Sequence, residues 1–157
     1  MGLFRIRFIT EPDWISASIR VITNSEWSHT EIILPDGSYL GAHPDGGVKV
    51  RPANYCVPTR ERRYSIYVDD RQLDKIMAFA RSQIGKPYDL TDIAGLLTHL
   101  DWHTKGKWIC SEFVAASAEG GGLYMLNAEP AFVSRITPEM LHLSPLLIGN
   151  CNYEFGI

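Results

Sequence analysis

Two residue types in this sequence, a cysteine and a histidine, stand where a thiol hydrolase would need them. Cys110 lies in the run Lys107-Trp-Ile-Cys-Ser-Glu-Phe-Val-Ala-Ala-Ser-Ala-Glu119, which reads as the start of a helix. A free thiol has a pKa of roughly 8.5 and attacks only as thiolate, so it needs help near neutral pH. Unpaired N–H groups and the positive end of the macrodipole at a helix N-terminus supply part of that help. A base must supply the rest. His29 opens the run His29-Thr-Glu-Ile-Ile-Leu34 ahead of Pro35-Asp-Gly37, the pattern of a strand entering a hairpin. An imidazole at a strand start and a thiol at a helix start can face each other across a cleft, as proton transfer from thiol to base requires, here with the histidine first in the chain.

The orienting partner of such an imidazole has three nearby candidates. His43 follows Tyr39-Leu-Gly-Ala42 on the next predicted strand, where a cross-strand approach to His29 is natural and which makes it the first choice. Asp45 comes second. Glu31 is two residues from His29, on the same strand face but displaced along the strand rather than across it.

The elements that must position these residues follow from periodicity. Leu3 to Phe8 alternates apolar residues with Arg5 and Arg7, a strand. Asp13 to Thr23, with Trp14, Ile15, Ile19 and Ile22 at helical spacing, is an amphipathic helix expected to pack behind the His29 strand. Further strands are expected over His29–Leu34, Ser38–Ala42, Val48–Arg51 and Tyr64–Val68, joined as an antiparallel meander, with Pro52 to Arg63 as an exposed loop. Asp70 to Ile84 is the clearest helix, ended by Gly85. Tyr88 to Leu100 is expected to be partly helical, the Cys110 helix to run to Glu119, and Thr137-Pro-Glu-Met to begin a short capped helix.

Three stretches resemble the NlpC-type cell-wall peptidase superfamily in its circularly permuted, YiiX/YebB-like papain branch. They are Trp27-Ser-His-Thr-Glu-Ile32 with Gly46-Gly-Val48 downstream, Ile84-Gly-Lys-Pro-Tyr-Asp89, and Cys110-Ser-Glu-Phe-Val114. The resemblance implies an α+β permuted papain-like fold over residues 1–157, an antiparallel sheet or small barrel packed against helices. It implies Cys110 as nucleophile, His29 as base and a third polar residue near His43. Tyr88 then corresponds to a tyrosine whose hydroxyl points into the site; the alternative is a core tyrosine beside a Gly-Lys-Pro turn. Gly41-Ala42 stands where many members of the superfamily carry a glutamate. The implied reaction is cleavage of an amide bond through an acyl-enzyme, with peptide stems of bacterial cell wall as first substrate and no cofactor. An acyltransferase or thioesterase on lipid-like esters is the rival activity, and a non-catalytic binding module the rival class.

Composition excludes other readings. The chain has 157 residues, 45% hydrophobic and 21% charged, enough for one domain with a real core. A net charge of −3 provides no basic surface for nucleic acid. Arg5 and Arg7 interrupt the N-terminal apolar stretch, so a secretion signal is not expected, and no run reaches the ~18 apolar residues that span a bilayer. The expected setting is therefore cytoplasmic or phage-associated, with a phage particle or lysis system as a carrier. Cys56, Cys110 and Cys151 are odd in number and widely spaced, which argues against a disulfide framework; Cys56 and Cys151 read as inert thiols. His99 and His103 have the spacing of a zinc pair but lack the glutamate directly after the first histidine. A cluster of His29, His43 and Cys110 on zinc is the metal alternative.

Overall fold

The computed structural model describes residues 1–12, 14–89, 107–127 and 136–149. It is an α+β structure, as expected: strand β1 (Gly2–Thr10), helix α1 (Trp14–Thr23), strands β2 (His29–Ile33), β3 (Tyr39–His43), β4 (Gly47–Arg51) and β5 (Arg60–Val68), helix α2 (Asp70–Ser82), helix α3 (Cys110–Gly120), helix α4 (Pro138–His142) and the short strand β6 (Ile148–Gly149). The strands form one six-stranded sheet, ordered β4-β3-β2-β1-β5-β6, with every pairing antiparallel. Strands β2, β3 and β4 make the expected meander, but the strand expected to continue it, Tyr64–Val68, does not pair with β4: it belongs to β5, which crosses to the free side of β1 and pairs there along its whole length.

Alternation along β1 sorts its side chains. Phe4, Ile6 and Phe8 join Ile32, Leu40, Ala42 and Val48 in a core closed by Ile76 and Ala80 of α2 and by Phe113, Val114 and Ala118 of α3. Arg7 has the opposite parity, yet it is only 2% exposed. Its guanidinium lies 3.3 Å from the centroid of the Tyr39 ring, with Tyr55 on another side, so aromatic faces replace its water. Burial of that charge requires a carboxylate partner, which the site supplies.

A second expectation is corrected. Arg60 to Arg63 is strand rather than loop: β5 pairs with the whole of β1, from Gly2 opposite Val68 to Thr10 opposite Arg60. The side chains of residues 60–63 are exposed and carry no apolar signal, whereas the ladder to β1 satisfies their backbone. Helix α1 forms where expected, but Ser16 and Ile19 line a cavity beside His29 instead of only backing the strand.

Local chemistry fixes the remaining elements. Asp69 caps α2 by accepting from the Gln72 N–H at 2.7 Å, and Thr137 caps α4 by accepting from the Met140 N–H, with Pro138 at the first helical position. The turn after α2 docks on β4: the Val48 N–H donates to Lys86 O and the Gly85 N–H to Val48 O, both at 2.9 Å. Gly47, at φ +69°, lies directly against the Lys86 carbonyl, and any Cβ there would overlap it. Two of the three motif stretches thus meet through a glycine. Most of the helix expected over Tyr88–Leu100, together with His99, Trp102, His103 and Cys151, falls outside the described residues.

Candidate active site

Cys110 is the first residue of α3, and Ile109 precedes it in extended conformation as the cap. The Glu112 side chain reaches back to the Ile109 N–H at 3.4 Å, tightening the turn that holds the thiol. Trp108, two residues earlier, forms a bridge with Tyr88: the Asp89 N–H donates to Trp108 O and the Trp108 N–H to Pro87 O, both at 3.1 Å. That bridge draws the Gly-Lys-Pro-Tyr stretch alongside the approach to Cys110. The Tyr88 hydroxyl is enclosed against the Cys110 thiol.

From the other side comes the start of β2. The His29 imidazole faces the Cys110 sulfur and interacts with it electrostatically, and the backbone N–H groups of Thr30 and Ser111 also face the sulfur. Burial works against a thiolate here, but the His29 imidazolium and these donors outweigh it and lower the Cys110 pKa. Burial likewise opposes a charge on His29; Cys110 and Glu31 together override it and push the imidazole up to about 10. Both shifts favour a thiolate–imidazolium pair.

Glu31 occupies the centre of the polar cluster. His29 Nε2 stands 3.5 Å from Glu31 Oε2, an ion-pair contact without hydrogen-bond alignment, and His43 Nε2 stands 3.3 Å from the same oxygen. Glu31 Oε1 accepts from Arg7 Nε at 2.6 Å and from the Tyr55 hydroxyl at 3.0 Å. Burial raises the carboxyl pKa, but the close contacts of the two histidines and the charges of His29 and Arg7 hold it well below the usual range. Glu31 is therefore a fully buried carboxylate with every side occupied.

His43 approaches His29 across the strands as expected, with ring centroids 3.8 Å apart. Burial and the neighbouring His29 charge drive His43 down to about 3, so it is neutral. Its contact with the base is ring to ring, whereas Glu31 is the charged group against His29 Nε2. Asp45 reaches the far nitrogen of His43 at 3.9 Å and pairs with Arg51 at 2.9 Å. Sequence reasoning ranked Glu31 last because strand geometry aims it along the sheet. The missing signal was Arg7, whose burial demands a carboxylate at the cross-strand position, and Arg7 and Glu31 are register partners.

Tyr55, which sequence reasoning did not single out, lies 3.2 Å from His43 Nε2 and bridges it to Glu31. Cys56 follows it, half-buried, with its sulfur 3.7 Å from Arg7 Nη2. Burial pushes its thiol up, so it is a weaker nucleophile than Cys110. His142 takes no part: it bonds the Tyr64 hydroxyl at 2.8 Å and packs on Phe8 and Trp27.

A cavity of about 310 Å³ is lined by His29, His43, Tyr55, Cys56 and Tyr88 together with Glu11, Asp45 and Arg51. Cys110, 3% exposed, lies behind this lining rather than in it. No helix among the described residues is long and apolar enough to cross a membrane.

No family model matches the chain, and no curated protein matches it. Among solved structures, one from Escherichia coli O157:H7, described as metalloprotein yiiX, DUF1105, is 17% identical, with a TM-score of 0.66 over 94% of this chain and 95% of that one. The α+β architecture of this chain is thus a YiiX-like fold.

Proposed function

We propose that this protein is a thiol hydrolase of the permuted papain-like kind, cleaving an amide bond in a polar peptide. The observation that carries this reading is the convergence of the buried Cys110 thiol at a helix start with the His29 imidazole and the Tyr88 side chain, the latter two of which line one cavity. Chance seldom gathers a nucleophile, a base and a hydroxyl donor in one place.

In this mechanism the Cys110 thiolate attacks the substrate carbonyl carbon, and the carbonyl electrons move to oxygen. The Tyr88 hydroxyl, held un-ionised by burial and by the neighbouring sulfur, donates to that oxyanion together with the Cys110 backbone N–H. His29 gives its proton to the leaving amine. It then takes one from water, which releases the acid and restores the thiolate. Glu31 orients the imidazole and stabilises its charged form, the role that sequence reasoning gave first to His43. Arg7 and Tyr55 hold Glu31 in place.

The cavity lining includes Glu11, Asp45 and Arg51, which supports a charged peptide over an acyl chain, and so cell-wall stem peptides over lipid esters, as the first substrates to test. The test is iodoacetamide alkylation of each cysteine as a function of pH, read by peptide mass spectrometry in the wild type and in His29→Ala. Cys110 reacting ahead of Cys56 and Cys151 well below pH 8, with the advantage lost in the variant, supports the reading and justifies a muropeptide screen. A Cys110 no faster than the other two overturns it.

A further inference from the structure

The geometry points to a second use of the same cluster: we propose that His29 Nε2, Glu31 Oε2 and His43 Nε2 form a binding site for a divalent transition ion of the zinc class. The three donor atoms lie within 4.8 Å of one another. Two edges of that triangle are 3.5 and 3.3 Å, both ending on Glu31 Oε2. Ligands at roughly 2.0–2.1 Å from a tetrahedral zinc are about 3.4 Å apart, so these edges already have the spacing of groups around one ion.

The donor set suits the ion as well. Two neutral imidazoles and a carboxylate are ligands that zinc and its neighbours in the first transition row accept. His29 Nε2 is buried without a hydrogen-bond partner, an atom whose lone pair an ion would satisfy. Glu31 is oriented from behind, since Arg7 and Tyr55 hold its other oxygen and leave Oε2 turned to the histidines. All three side chains are fixed on neighbouring strands and nearly inaccessible, so little ordering remains to be done on binding. The fourth side faces the cavity, which His29 and His43 both line. Arg7 opposes a cation through its charge, which makes the site weaker than a structural zinc site and suited to reversible occupancy.

The ion and thiol activation compete for His29. An imidazole that ligates a metal is neutral and carries its proton on the other nitrogen, so it cannot accept the proton of Cys110. The site stands without the hydrolase reading, because none of its three ligands is the thiol.

The experiment uses the full chain freed of metal with a chelator, titrated with Zn²⁺ by calorimetry and with Co²⁺ by visible absorption. One ion per chain is expected. His43→Ala removes a ligand and should weaken binding by at least the roughly 10–100-fold typical of losing an outer-shell partner, and Cys110→Ser should retain it with no change in the cobalt spectrum. Glu31→Gln serves as a third variant if it folds; His43→Ala keeps the test decisive if it does not, with circular dichroism confirming its fold. No binding, or binding that survives His43→Ala, overturns the site. A sulfur-to-cobalt charge-transfer band lost in Cys110→Ser overturns the donor set. Alkylation of Cys110 in the metal-free protein reports on the hydrolase separately, so either reading can fail alone.

Discussion

Glu31 and Gly41 lie opposite each other on β2 and β3, and the absent side chain at Gly41 is what admits the carboxylate. A Cβ at position 41 would stand 2.8 Å from Glu31 Cβ and 3.6 Å from His29 Nε2. The glycine therefore clears the space in which one carboxylate meets both imidazoles. The superfamily resemblance implied a glutamate near residue 41 in many members; here the carboxylate projects from the facing strand into the same space.

Gly41→Ala should consequently disturb the site more than so small a change suggests. Overpacking of this kind costs ~1–3 kcal/mol, read by urea unfolding. Cys110 alkylation at neutral pH should slow in parallel as Glu31 is displaced from His29. A variant with unchanged alkylation would mean that Glu31 does not govern the imidazole.

Glu31→Gln removes the charge that neutralises Arg7, a guanidinium 2% exposed. Losing the buried partner of such a charge costs up to about 3–5 kcal/mol, less whatever the remaining contact of Arg7 with Glu61, at 3.4 Å, retains. The Arg7→Met, Glu31→Gln double variant should recover much of that loss, because it removes the stranded charge as well. Denaturant unfolding of the four proteins in this cycle measures the coupling, and strict additivity would contradict the pairing.

The raised pKa of His29 makes stability depend on pH with a definite sign. Unfolded, the imidazole titrates near 6.5; folded, near 10. Between these values the native state holds a proton that the unfolded state lacks, so the contribution of His29 is complete below pH 6.5 and fades as pH rises through about 10. Unfolding free energies of the wild type and His29→Ala should therefore converge over that window. Parallel curves would place the imidazolium elsewhere.

Tyr88→Phe separates oxyanion binding from thiol activation. Amide hydrolysis should fall on the order of 100-fold, and Cys110 alkylation should fall far less, since His29 and two backbone N–H groups remain at the sulfur. Equal losses in both assays would make Tyr88 a partner of the thiolate only.

Much of this arrangement was legible in the sequence because its signals are local. Period-two alternation marked β1, an apolar run ahead of Pro35-Asp-Gly37 marked β2, helical period marked α2, and the Thr137-Pro138 pair marked the start of α4. The identities of Cys110 and His29, at a helix start and a strand start, came from spacing and short motifs alone. The first half of β5 did not, because Arg60 to Arg63 are exposed, carry no apolar alternation and are held in the sheet by their backbone ladder to β1.

Tertiary structure alone decided which acid serves the imidazole and how the motifs meet. Register between β1 and β2 sets Arg7 against Glu31, register between β2 and β3 leaves the facing position to Gly41, and the Tyr88–Trp108 bridge brings a distant hydroxyl to the thiol. Each of these depends on strand pairing between residues far apart in the chain. The sequence by itself determined the chemical groups and the elements that carry them. Burial and register, which exist only once the chain has folded, turned four scattered side chains into one electrostatically coupled cluster.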